Sequence, residues 1–287
     1  MSSALGTWRR AGHRDLPMIA RQLSPLLNVL PGERVGLDMS QLGFVAPCGM
    51  AMIRAAWISA MERGVAPADI EVLPPDAKVS TYLDRMDLFP PECAFPRYTG
   101  PRNEPKFFWP VTEFRDHMEA AEIALYLGEH GGAALTEADR KIIGSVAGEL
   151  ADNCVIHAEG WGGVACAQRW TGGATQFALV DTGRGVIQSF RDAGRYADVS
   201  DREIIMRLCS EHFTSTGDAG RGLGLNKIAS YADRTGGSLS ILTGSWLYTR
   251  NRGKLPEVSE TPHYWPGTTV VWEVPTVTAL ETLYNSM

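Results

Sequence analysis

The sequence predicts an α/β protein built in two parts, and three observations support that prediction. Strand patterns alternate with helical patterns over residues 34–86, which is typical of a mostly parallel sheet. Residues 89–110 contain six prolines and are predicted as an irregular connection. A second series of helical and strand patterns fills residues 112–275. We therefore expect a first domain with its linker at 1–107 and a second domain at 108–287.

The first part is predicted to run strand, helix, strand, helix. Residues 34–39 form the first short buried strand, and the helix that follows covers residues 49–63 and ends near Gly64. Residues 70–73 form the second strand, which Pro74 and Pro75 close. Residues 79–86 form the second helix. A chain with this order favours parallel strands, because each strand is followed by a crossover.

The second part is predicted to begin with a helix over residues 112–129. Thr136-Glu-Ala-Asp139 resembles a capping box, with Asp in place of Glu, and predicts the start of the next helix. The later strands are predicted at 164–170, 176–180, 238–243 and 268–274. The later helices are predicted at 201–209, with Ser200 as a cap, and at 223–235, with Gly236-Gly237 as its stop. Residues 244–266 are predicted as a long loop, either a docking surface or an insert packed on the sheet.

Composition excludes several classes of protein. The chain is 44% apolar and 21% charged, as in ordinary globular proteins, and its net charge of −6 argues against non-specific binding to nucleic acid. Five scattered cysteines without a CxxC pair indicate a reducing compartment and no zinc ribbon. The first residues lack the apolar core of a signal peptide, and the most apolar window, 45–61, is interrupted by Pro47 and Arg54. We expect a cytoplasmic protein without a membrane segment or a specific nucleic-acid partner.

The first motif with chemical potential lies on the helix predicted after Thr136. Glu149 and Asn153 are four residues apart, so they lie about 40° apart around the helix axis, and His157 continues the same stripe. Mg²⁺ prefers oxygen ligands and few protein contacts, which fits Asn153 as a single ligand. Glu149 is suited to orient or deprotonate an attacking water or hydroxyl group. A solvated Glu and a surface Asn are the structural alternative.

The second motif, Asp181-Thr-Gly183-Arg-Gly185, follows an apolar strand directly. A carboxylate at a strand end can accept a hydrogen bond from an exocyclic amine such as that of adenine. Gly183 and Gly185 allow tight turns and a close approach of the backbone. An ordinary turn is the alternative interpretation, because Asp and Gly are common in turns.

The third motif, residues 220–225, is glycine-rich and opens a helix. Backbone N–H groups at a helix start favour phosphate, and Arg221 is expected near the terminal phosphate. An ordinary glycine-rich turn is the alternative interpretation. The preceding segment, 213–218, is polar and small after its first residue and is suited to form a lid. No GxxxxGK[ST] sequence is present, and the position in the chain does not fit a Rossmann fingerprint.

These motifs, in this order and spacing, resemble the GHKL ATPase superfamily over residues 112–275. Residues 149–158 resemble its N box, 181–185 its G1 box, 220–225 its G2 box, and Gly267-Thr268 its last box. The resemblance implies a Bergerat-type α/β sandwich with a mixed sheet, in which ATP and Mg²⁺ bind between helices under a flexible lid.

The same resemblance implies a role for individual residues. Glu149 is expected to be the catalytic carboxylate, Asn153 the Mg²⁺ ligand and Asp181 the group that recognises adenine. The nucleotide is expected to be lined by Gly183, Gly185, Arg221, Gly222, Leu223, Gly224 and Thr268. Histidine kinases and anti-sigma serine kinases are the most similar branches. His117 lacks the surroundings of a phosphoacceptor, and we interpret it as a solvent-facing histidine.

The first part resembles a STAS domain over about residues 25–90, on the stretch Gly36 to Met50. STAS domains are the fold of anti-sigma-factor antagonists, so the predicted fold class is an N-terminal STAS-like β-α domain followed by a GHKL sandwich. The regulatory serine of that family falls at Cys48, which is not a serine-kinase substrate. We interpret Cys48 as a buried small residue, with a redox role as the alternative. The fusion indicates either internal regulation or a rigid platform for a partner.

The sequence therefore predicts a regulatory ATP- and Mg²⁺-binding protein, either a slow ATPase or a protein serine kinase. Its nucleotide state would control binding to a protein partner, such as a component of a sigma-factor pathway or a second copy of the chain. The alternative is a non-catalytic interaction module in which ATP is structural or the pocket is vestigial.

Overall fold

The computed structural model describes residues 13–99, 108–130, 137–158, 161–170, 173–194, 196–210, 213, 224–251 and 253–275. These residues form an α/β structure with one large and one small sheet. In the first part the elements are α1 (Leu16–Asn28), β1 (Val35–Asp38), α2 (Pro47–Glu62), β2 (Ile70–Leu73) and α3 (Ala77–Arg85). In the second part they are β3 (Phe108–Phe114), α4 (His117–His130), α5 (Glu137–His157), β4 (Gly163–Arg169), β5 (Thr175–Val180), α6 (Gly185–Asp192), α7 (Asp201–Arg207), α8 (Gly224–Thr235), β6 (Ser238–Asn251) and β7 (Glu257–Val274).

The small sheet consists of β1 and β2, which run parallel with Val35 opposite Ile70. This confirms the parallel pair expected for the first part. Its strands and its two later helices lie within a few residues of the predicted ranges, whereas α1 was not predicted. Pro25 lies inside α1 and weakens the helical pattern there.

The large sheet has the strand order β3-β4-β5-β7-β6, and every pairing in it is antiparallel. The prediction of a mixed sheet is therefore wrong for the described strands. The pairs β4–β5 and β6–β7 are joined directly, which makes them antiparallel. After β3 the chain forms the helical hairpin α4–α5, and β4 then runs back beside β3 in the opposite direction.

Both faces of the large sheet are covered by helices. Alternate residues of β4 and β5 point to opposite faces: Ala165 and Leu179 pack with α4, α5 and α8, whereas Cys166 and Ala178 pack with α1 and α2. Helix α2 has 12 buried residues out of 16, because α1 packs against one side of it and the large sheet covers another. Residues on the two sides of the predicted domain boundary thus share one apolar core.

Two predicted segments differ from the structure. The helix expected over residues 112–129 is replaced by β3 and by α4, which begins only at His117. Residues Phe108 to Phe114 form a strand because they pair with the edge of β4. Helix α4 begins where it does because Asp116 accepts hydrogen bonds from the N–H groups of Met118 and Glu119.

The loop expected over residues 244–266 is the second difference. Strand β6 continues to Asn251 and β7 begins at Glu257, so most of that range is a long hairpin. A bulge between Gly244 and Trp246 breaks the regular alternation, because Trp246 pairs with Glu260 while Gly244 pairs with Trp265. Among the described residues, no helix is long and apolar enough to cross a membrane.

Candidate functional site

A cavity of about 110 Å³ lies between α5, α6, the start of α8 and the adjoining ends of β5 and β7. Its apolar wall includes side chains from α5, β5, α6, α8 and β7. The polar groups that line it are Asn153, Cys154, His157, Asp181, Ser189 and Thr268. Polar groups converging in an otherwise apolar pocket are typical of a small-molecule site. Four of the residues expected from sequence to bind Mg²⁺ or nucleotide are therefore brought together: Asn153, Asp181, Gly185 and Thr268.

Asp181 is held at the end of β5 with only 3% of its surface exposed. Its backbone N–H donates to the carbonyl of Thr268 over 2.9 Å, and its own carbonyl accepts from the indole Nε1 of Trp265 over 3.0 Å. Its Oδ1 accepts from the N–H of Gly183 over 2.9 Å, and the thiol of Cys154 donates to the same carboxyl group. These contacts fix the carboxyl group at the cavity wall.

No lysine, arginine or histidine in the part of the chain that the structure describes makes a salt bridge to Asp181. Burial therefore dominates, and it raises the pKa of this carboxyl group from 3.8 to about 7, although the hydrogen bonds from Gly183, Thr268 and Cys154 oppose the shift. A buried carboxylate without a cation is costly. Strongly displaced pKa values of this kind are found at functional sites.

The glycines beside Asp181 are required by close packing. A Cβ on Gly183 would overlap the carbonyl of His157 at the end of α5, and a Cβ on Gly267 would overlap the Asp181 carboxyl group. Gly267 and Gly185 also have φ values of +83° and +72°, which side chains rarely adopt. The glycines predicted from the DTGRG motif thus let the backbone come close to α5 and β7. Gly185 also lines the cavity.

Helix α5 supplies one side of the cavity. Asn153 and His157 both line it, one turn apart, as the predicted stripe requires. The Nδ1 atom of His157 lies 3.5 Å from the hydroxyl of Ser189, which itself donates to the carbonyl of Gly185 over 2.8 Å. Asn153 is solvent-exposed, so its amide is accessible from outside the cavity as well.

Glu149 lies one turn before Asn153 and is not among the lining residues. Its Oε1 accepts from the ammonium group of Lys227 on α8, and the two side chains are 33% and 42% exposed. The predicted catalytic carboxylate is therefore an ion-pair partner beside the cavity. His117 is also ion-paired, with its Nδ1 2.7 Å from Asp152 Oδ1, and its side chain is 63% exposed, as expected for a solvent-facing histidine.

Several predicted site residues lie outside the described residues. Arg221, Gly222 and Leu223 belong to this group, as does the expected lid after Phe213. Gly224 is the first residue of α8. Leu225, the next residue, lines the cavity.

Sequence reasoning missed several residues at the site, including Cys154, Ser189 and Lys227. A thiol inside an apolar helix face and a serine at a helix interior carry no distinct signal, and a lysine in a helix is usually solvated. Phe213 was noted only as the start of the lid. It is 5% exposed, lines the cavity and stacks on Phe190 with ring centroids 4.8 Å apart.

Cys48 lies at the start of α2 and does not line this cavity. It is fully buried, its N–H donates to Gln176 Oε1 on β5 over 3.4 Å, and burial raises the pKa of its thiol to about 12. The thiolate is the reactive form of cysteine, so these surroundings favour the interpretation as a buried small residue over the redox role.

A metal site built from protein side chains alone is not found within the residue ranges given above, where no three His, Cys, Asp or Glu residues cluster.

In comparisons with known proteins, no protein-family model, no curated protein and no solved structure matches this chain.

Proposed function

We propose that this chain is a regulatory protein that binds ATP with Mg²⁺ in the cavity beside Asp181. The proposal includes the GHKL-type relationship of residues 112–275 and a cytoplasmic location. It rests on the motifs of the sequence and on the way in which Asn153, Asp181 and Thr268 meet around one cavity.

The observation that carries the proposal is the buried carboxyl group of Asp181. Its pKa of about 7 reflects a desolvation cost that the hydrogen bonds to protein groups do not remove. A ligand amine that donates to this carboxylate would supply the missing partner, and hydrogen bonds to charged groups contribute about 1.5–3 kcal/mol. The amino group of adenine has this chemistry, and the apolar cavity walls suit a flat purine ring.

Mg²⁺ fits the same site through Asn153. This ion commonly keeps its waters and takes one or two protein oxygens together with substrate phosphates, so a cluster of side chains is not required. Asn153 is exposed and lines the cavity, so its amide oxygen can contact both solvent and a bound ligand. When bound, the ion would neutralise phosphate charge.

Glu149 is the residue to which the motif assigns the role of base. It precedes Asn153 by one helical turn, about 6 Å along the axis. In this role it would accept the proton of an attacking water or serine hydroxyl, which corresponds to slow ATP hydrolysis or to a protein serine kinase.

The test is thermal unfolding with and without nucleotide. ATP with Mg²⁺ should raise the melting temperature, because a ligand that binds the native state stabilises it, and GTP with Mg²⁺ should raise it less. The control is Asp198→Asn, which removes a carboxylate from an exposed turn and should leave the shift in place. Equal melting temperatures with and without ATP in the wild-type protein would overturn the proposal.

A second function is favoured by the position of Glu149, which does not line the cavity. In that case ATP binds without turnover and the protein is an interaction module. Radiolabelled ATP separates the possibilities: released phosphate indicates hydrolysis, labelled partner protein indicates a kinase, and neither indicates binding alone.

The first part of the chain is proposed to be STAS-like and to form a rigid platform. Cys48 and the start of α2 lie against β5, so this surface is already occupied within the chain. A protein partner, such as a sigma-pathway component or a second copy, would then bind elsewhere.

A further inference from the structure

Lys227 connects α8 to α5 beside the cavity. Its ammonium group contacts Oε1 of Glu149, a residue 78 positions earlier in the chain. Among the residues whose positions are described, no other group donates to the Glu149 carboxylate. Oε1 is therefore held by Lys227, and Oε2 accepts no hydrogen bond from the described residues.

The first turn of α8 is itself fixed. Leu225 packs into the cavity wall, and the side-chain amide of Asn226 donates to the carbonyl of Cys209 over 2.9 Å. Lys227 follows directly, so its backbone is anchored by the two residues that precede it. The ammonium group thus reaches Glu149 from a helical turn that these two contacts hold.

This ion pair adds little to the stability of the fold. Both side chains are more than 30% exposed, and exposed pairs contribute only about 0–1 kcal/mol. A glutamate without a partner samples several rotamers. A base is effective only when it is held within reach of the proton that it removes. The pair is well suited to restrict that motion.

We propose that Lys227 is a positioning residue for Glu149. The inference rests on the proposed function, because it assigns a role in the same reaction. Lys227 holds Oε1, and Oε2 accepts the proton of the attacking water or hydroxyl. The attacking oxygen forms a bond to the γ-phosphorus, the bond from that phosphorus to the β–γ bridging oxygen breaks, and ADP leaves with the electron pair.

The experiment compares Lys227→Met, Lys227→Arg and the double variant Glu149→Gln with Lys227→Met. We expect Lys227→Met to lower kcat about 10- to 100-fold with little change in KM or in ATP affinity. Lys227→Arg should recover most of the loss, and the double variant should be no slower than Glu149→Gln. The matched control is Lys141→Met, which removes a lysine from an exposed ion pair with Glu137 on α5 and should leave kcat unchanged.

A readout independent of turnover is the NMR signal of the Lys227 ammonium group in lysine-labelled protein. This signal should shift in Glu149→Gln without any nucleotide present. An unshifted signal, or unchanged kcat in Lys227→Met, would overturn this inference while leaving ATP binding intact. Wild-type protein that binds ATP without turnover would also overturn it, and wild-type protein that does not bind ATP would overturn the proposed function as well.

Discussion

Replacing Asp181 with asparagine is expected to make the protein more stable at alkaline pH. The pKa of Asp181 is raised from 3.8 to about 7 in the folded state because the carboxyl group is buried. Between these two values the folded chain binds more protons than the unfolded chain, so the free energy of unfolding falls as pH rises. Asparagine keeps an oxygen that can accept from Gly183 but has no charge to bury.

The size of the effect follows from the two pKa values. Each pKa unit corresponds to about 1.4 kcal/mol, so the full displacement costs the charged folded protein about 4 kcal/mol. Most of this cost appears between about pH 5 and about pH 8. From about pH 5 to about pH 8, the difference in unfolding free energy between Asp181→Asn and wild type should grow by roughly 2–3 kcal/mol in favour of the variant.

Urea unfolding of both proteins at several pH values measures this difference. The same variant should bind ATP about 10- to 100-fold more weakly, because the charged acceptor for the adenine amine is lost. Gain of stability together with loss of binding is typical of a residue kept for function. Stability curves that run parallel from acid to alkaline pH would refute the reasoning about burial, and unchanged ATP affinity would refute the role in adenine recognition.

Three further predictions concern other residues of the site. Asn153→Ala should abolish the Mg²⁺-dependent part of ATP binding measured by calorimetry, and equal affinity with and without Mg²⁺ in the wild type would contradict this assignment. Glu149→Ala should retain ATP binding and lose turnover in a phosphate-release assay; turnover equal to wild type would remove its catalytic role. Gly267→Ala should lower the free energy of unfolding by at least about 2 kcal/mol, because its Cβ would overlap Asp181 at a positive φ. Gly253→Ala, at a φ of +68° but with open space around it, is the control and should cost clearly less.

The parts of the site that could be predicted from sequence depend on local patterns. The four-residue spacing of Asn153 and His157 on a helix places both at the cavity, and the apolar run before Asp181 places its carboxyl group at a strand end. The bounds of α8 also follow from local signals. The same is true of the cap of α7, where the Ser200 hydroxyl accepts a hydrogen bond from the N–H of Glu203.

The parts that could not be predicted depend on distant partners. Strand β3 lies at the end of a proline-rich stretch and is a strand only because β4 pairs with it. The long hairpin of β6 and β7 was hidden by a bulge that interrupts its alternation. The contacts of Cys154 with Asp181 and of Lys227 with Glu149 join residues far apart in the chain, and one sequence contains no signal for such pairs.

The position of α2 has a consequence for how this chain can be divided. Because α2 is buried on both sides, a cut near residue 107 would leave Val164, Cys166 and Ala178 facing water on one fragment and an apolar helix facing water on the other. Neither fragment would be a portable module, and each would tend to aggregate. The two parts are therefore expected to unfold together.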